Sequence, residues 1–117
     1  MIAVVFEAEP ADREAYLRIA GELRPLLEEI NGFISIERFQ SVSDPERVLS
    51  LSFWRDEAAV AAWRNVEAHR VAQSAGRGGV FRDYRLRVAE VLRDYGMRER
   101  EAAPMDSKAS YNVPSPG

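Results

Sequence analysis

The sequence predicts an α+β fold, a ferredoxin-like βαββαβ chain giving a four-stranded antiparallel sheet with both helices on one face. Three observations lead there. Four segments carry short apolar runs or period-two alternation, two carry apolar residues at i, i+3, i+4 and i+7, and they occur in the order β, α, β, β, α, β. A chain of 117 residues, 46% hydrophobic and 30% charged, suits one soluble domain with one core.

The first strand is the run Ile2 to Ala8, rich in β-branched residues and closed by Pro10. Asp12 then offers a helix cap, and Tyr16, Ile19, Ala20, Leu23, Leu27 and Ile30 trace one buried stripe. Pro25 interrupts that stripe, so a kink or break is expected near Arg24. Asn31-Gly32 ends the helix. From Phe33 to Gln40 the side chains alternate, with Ile34 and Ile36 on one face and Phe33, Ser35, Glu37 and Phe39 on the other. Ser43-Asp44-Pro45-Glu46 supplies turn chemistry, and Val48 to Trp54 returns as a second alternating strand, making a hairpin.

Asp56 caps a short helix bearing Ala59, Ala62, Trp63 and Val66, and Asn65 is expected to restart it at a new angle. The stripe Ala68, Val71, Ala72 and Ala75 follows, ended by glycines at 76, 78 and 79. A final strand from near Val80 sets Tyr84, Leu86 and Val88 against Asp83, Arg85 and Arg87. Residues 1–95 are thus one domain. Residues 96–117, charged and then rich in Pro and Ser, read as a tail expected to dock on a partner subunit.

Several function classes are excluded. A net charge of −3 and a pI near 5.2 argue against a nucleic-acid or membrane-surface partner. No cysteine is present, which removes disulfides, thiolate catalysis and cysteine-bound metal. The N-terminal apolar run stops at Glu7, unlike a signal peptide, and no segment reaches the roughly 20 apolar residues of a membrane span, so a cytoplasmic setting is expected. Both helices on one side leave the other sheet face bare. Phe33, Phe39 and Trp54 are expected there, and a second copy packing sheet to sheet would cover them, so a homodimer is expected.

Leu51 through Gln73, with Phe53-Trp54, Trp63, His69 and Gln73, then Gly76-Arg77 and Phe81 through Val91, resembles the antibiotic biosynthesis monooxygenase family over roughly residues 1–95. The resemblance implies a dimeric α+β barrel. It also implies a cofactor-independent monooxygenase for an aromatic, polyketide-like or other small apolar substrate. The alternative is a non-catalytic dimer that binds a small molecule or haem. Haem-degrading relatives share a first-strand asparagine, a helix tryptophan and a histidine about ten residues later. Here those places hold Phe6 or Glu7, Trp63 and Gln73, so two of the three parts differ.

In the oxygenase reading Trp63 matches the family's pocket tryptophan and would stack on the substrate, although its helical position also suits core packing. His69, the only histidine, would accept a proton, with a structural or surface role as the plainer account. Arg85, with Arg82 and Arg87 beside it, would hold an anion, yet alternating charge also fits a solvated face. Trp54, Asn65, Gln73 and Tyr84 complete the expected substrate contacts; core packing equally explains Trp54 and Tyr84, and helix capping explains Asn65. No metal ligand set appears, and Gly76-Arg77-Gly78-Gly79 follows a helix rather than a strand, contrary to a phosphate loop.

Overall fold

The computed structural model describes the backbone of residues 1–75 and 80–112 and the side chains of 1–67 and 80–108. Its elements run β1 (Ile2–Pro10), α1 (Arg13–Glu28), β2 (Phe33–Gln40), β3 (Val48–Trp54), α2 (Glu57–Ala75), β4 (Phe81–Glu90) and α3 (Met105–Asn112). The strands form one antiparallel sheet in the order β2-β3-β1-β4, the ferredoxin-like arrangement. No helix among the described residues is long and apolar enough to cross a membrane.

Caps fix where the helices begin. The Asp12 carboxylate accepts from the Ala15 amide at 3.2 Å, and Asp56 accepts from the Ala59 amide at 2.9 Å. That amide bond, aided by the Arg55 side chain, holds the Asp56 carboxyl below its ordinary range. Of the kink or break expected near Arg24, no break occurs: α1 runs continuously with Pro25 inside it. Likewise α2 is one helix from Glu57 to Ala75, and Asn65 is an exposed interior residue rather than a restart. Alanines on either side favour helix strongly enough that a single asparagine need not end it.

The register of β2 departs from simple alternation. Phe33 pairs with Trp54 and Ser35 with Phe53, so Ile34 is an extra residue and lies 52% exposed. Such a bulge turns the residues before it to the other face. As a result Phe33 joins Ile36 on the face beneath the helices, and Trp54, which regular alternation sets on the same face of β3 as Ser50 and Ser52, packs there too; both were expected on the bare face. Phe39 alone of the three lies on the bare face, beside Val5, Leu49, Leu51 and Phe53, which alternation places there.

Leu27, Trp54, Ala59, Val60 and Trp63 form the buried core, flanked by Ile2, Val4, Leu23, Phe33 and Ile36. The predicted tail is not featureless: α3 is an element its composition does not suggest. Arg100 organises the approach to it, donating to the Gly96 and Ser107 carbonyls at 3.0 and 2.8 Å and lying 5.6 Å from the Tyr95 ring centre.

Gly32 makes the turn from α1 into β2. Its φ of +99° suits glycine alone, and an added Cβ would stand 2.8 Å from the Ala59 Cβ in α2. Gly32→Ala should therefore cost at least about 1 kcal/mol from backbone conformation, with the clash in addition. Urea denaturation checks this, and an unchanged midpoint would contradict the close approach of the α1-β2 turn to α2.

Candidate functional site

The layer between sheet and helices has a filled end and a hollow end. At the filled end Trp54 is 1% exposed, stacks on Trp63 with ring centres 6.4 Å apart, and meets Phe33 edge-on at 5.3 Å. Its indole N–H donates to the Ser52 hydroxyl at 2.9 Å, so the largest buried side chain carries no unmet polar group. Beyond it the helices stand off from the sheet. They leave a cavity of about 530 Å³, floored by Val4, Phe6, Ser50 and Leu86 and roofed by Ile19, Leu23 and Trp63. That size suits a small organic ligand.

Aromatic rings bound the hollow on the β1-β4 side. Phe6 lies 5.4 Å from Phe81 and 5.5 Å from Tyr84 between ring centres, and Tyr16 reaches Phe81 from α1 at 5.6 Å. Tyr84, Leu86 and Val88 are 61%, 51% and 42% exposed although they face the helices, and no side chain among the described residues fills the space above them.

Two residues that the sequence pattern does not single out line the cavity, Glu67 and Arg38. Glu67 stands one helical turn beyond Trp63, so the i, i+4 spacing brings the two side chains together. As a residue Glu67 keeps solvent contact, but its carboxyl is crowded enough that desolvation raises its pKa above the ordinary 4.5. The Trp63 hydrogen bond and the more distant Arg38 charge, both acting downward, do not cancel this. Arg38 extends from β2 into the same space, and its Nε is buried without a hydrogen-bond partner among the described residues. The signals were present in the sequence: a carboxylate four residues after a tryptophan, and a cation two residues after Ile36 on the same strand face.

Of the residues expected at a site, the cavity brings together Trp54, Trp63 and Tyr84. Arg85 is not among them. It pairs with Glu7 across β1-β4 while its neighbour Leu86 faces the cavity, so alternation sends Arg85 to the opposite face. There Arg87 and Arg47 hold Glu7 at 3.1 and 3.4 Å, the solvated charge pattern of that face. Asn65 is exposed on α2 and does not line the cavity. The side chains of His69 and Gln73, and the segment Gly76 to Gly79, lie outside the described residues.

The family model described as Antibiotic biosynthesis monooxygenase matches residues 1–75. A protein of Pyricularia oryzae named Jasmonate monooxygenase ABM is 42% identical over 120 residues, covering all of this chain. This chain spans 56% of that relative's length. Among solved structures, SnoaB of Streptomyces nogalater, described as a cofactor-independent oxygenase, superposes with a TM-score of 0.65 at 7% identity, covering 80% of this chain and 94% of its own. MhuD, solved with manganese protoporphyrin IX, gives 0.63 at 20% identity, covering 82% and 99%. At those identities the two structures establish the fold.

The raised Glu67 pKa has a stability consequence. A carboxyl raised in the folded state contributes stability that is fully present below its unfolded pKa and is lost as pH rises through the folded one. Glu67→Gln, which cannot ionise, should therefore gain thermal stability relative to wild type between about pH 4 and about pH 7. Melting curves at both pH values check this. A difference that does not change with pH would place the carboxyl in water.

Proposed function

The chain belongs to the antibiotic biosynthesis monooxygenase family, and from that premise we propose that it is a monooxygenase acting on a small apolar or aromatic molecule held in the hollow between sheet and helices. The observation that carries the reading is a carboxyl group of raised pKa, hydrogen-bonded by Trp63, at the wall of an otherwise largely apolar cavity. A base in such a place can take a proton from a weakly acidic C–H, and a raised pKa strengthens it for that task. The relative named as a jasmonate monooxygenase supports oxygenation of a small organic molecule.

For a substrate with an activated methylene, as in an anthrone, the steps balance without an added cofactor. Glu67 removes a proton, and the carbanion passes one electron to dioxygen. The two radicals combine as a peroxide, which Glu67 reprotonates. Loss of the remaining C–H proton with cleavage of the O–O bond leaves a carbonyl and water, the substrate supplying all four electrons. Trp63 orients Glu67 and offers a flat surface to the substrate, and the apolar walls keep water from the carbanion. In this reading Glu67 has the proton-accepting role expected of His69.

Haem is the other group the fold family suggests. The described cavity walls offer two tyrosines but no histidine, cysteine or methionine, the commoner axial ligands. These described walls do not fit haem as an iron-ligating site. A homodimer belongs to the same proposal, with Val5, Leu49, Leu51, Phe53 and Phe39 of the open sheet face covered by a second copy and residues 96–117 reaching toward it. A solution mass near the chain's own 13.2 kDa by light scattering would defeat that part.

Oxygen uptake with a panel of anthrone-like substrates tests the oxygenase. Uptake of one dioxygen per methylene oxidised is expected, with kcat lowered about 100-fold or more in Glu67→Gln and a smaller loss in Trp63→Phe. No uptake, or uptake unchanged in Glu67→Gln, would overturn the proposal.

A further inference from the structure

Arg38 has no evident reason to face the helices. Among the described residues, Arg24, Arg47, Arg55, Arg82 and Arg87 each meet a carboxylate at 3.0 to 3.4 Å. The Arg38 guanidinium instead points into a mainly apolar cavity, with a buried Nε that bonds to nothing described. A buried donor left unmet is unfavourable, and more so when it is charged. The nearby Glu67 does not satisfy it: the Arg38 Nε has no hydrogen-bond partner among the described residues, and burial raises the Glu67 carboxyl above its ordinary pKa. The charge of the wall points the same way. Among the described residues, three of the four charged side chains lining the cavity, Arg24, Arg38 and Arg64, are cationic, although the whole chain carries −3.

We propose that the ligand of this cavity is an organic carboxylate and that Arg38 is its anchor. The proposal rests on reading the hollow as the substrate site. The Nε edge of a guanidinium presents two parallel N–H groups that match the two oxygens of a carboxylate. One such edge suits a single negative charge better than the doubly charged head of a phosphate monoester.

The sheet register also orients the ligand. Arg38 pairs with Ser50, Ser50 with Phe6, and Phe6 with Leu86, so these four form one row across the sheet beneath the helices. Two strand spacings, roughly 10 Å, separate Arg38 from Phe6. The carboxylate therefore lies at the β2 edge, and the apolar body crosses Ser50 to end over Phe6, Phe81 and Tyr84. An acid head joined to a ring or chain of about that length fills this path; a long fatty acid exceeds it.

Calorimetric titration with 2-naphthylacetate, its methyl ester and 2-naphthyl phosphate tests the anchor. Wild type should bind the acid at least about tenfold more tightly than the ester, and more tightly than the phosphate. Arg38→Gln should abolish the preference by weakening acid binding alone, Arg38→Lys should restore part of it, and Arg85→Gln on the opposite face should leave it intact. Without ligand, Arg38→Met should melt above wild type, since it removes an unpaired charge; a lower melting point would mark Arg38 as structural and overturn the anchor. Acid and ester bound equally by wild type, or a preference surviving in Arg38→Gln, would overturn the anchor and leave the cavity standing. Tighter binding of the phosphate would overturn the carboxylate class. Failure of all three probes to bind would overturn the cavity reading and the anchor together.

Discussion

The Trp54–Trp63 stack is the contact on which the rest of the molecule is arranged. Trp54 comes from the end of β3 and Trp63 from the second turn of α2, and together with Leu27 of α1 they tie sheet and both helices at one end of the layer. Burying two indoles there supplies a large share of the core's apolar area. The Ser52 hydroxyl keeps that burial free of an unmet donor. Both tryptophans sit at the same end; at the other, Tyr16 of α1 meets Phe81 of the sheet, and between these two contacts the cavity opens. Stability and vacancy are thus separated along the helices rather than across the sheet.

Trp63 belongs to both halves. One face of its ring packs on Trp54, and its indole N–H addresses Glu67 at the cavity wall. A group held this way is fixed by the core and not by a loop, which is the arrangement a positioned acid or base requires. The row Arg38, Ser50, Phe6 and Leu86 gives the floor a polar end and an aromatic end. Opposite it the sheet presents Leu49, Leu51 and Phe53, with Glu7 clamped between Arg47 and Arg87, a surface with no comparable hollow described.

Much of this fold was legible in the sequence, because periods of 2 and 3.6 report which way side chains point. The bounds of β2 and β3 follow directly from alternation and the turn at 43–46. The misreadings have local causes. One extra residue at Ile34 reverses Phe33, and no pattern in eight residues announces a bulge. Proline and asparagine within α1 and α2 did not interrupt them, since packing and neighbouring alanines outweigh a single unfavourable residue. The site was less legible. A strand face can be assigned only once the helices' side is known, so Arg85 and Arg38 could not be told apart as solvated or enclosed. Helical spacing alone sets Glu67 beside Trp63, but only the tertiary structure shows that this side of α2 borders a cavity.

The central claim is that the hollow under the helices, and not the opposite face of the sheet, receives the ligand. Methyl and indole resonances followed by NMR during titration with 2-naphthylacetate test this most directly. A ligand in the hollow should shift Val4, Leu23, Leu86, Val88 and the Trp63 indole, with Val5, Leu49 and Leu51 unmoved. Shifts confined to Val5, Leu49 and Leu51 would contradict it.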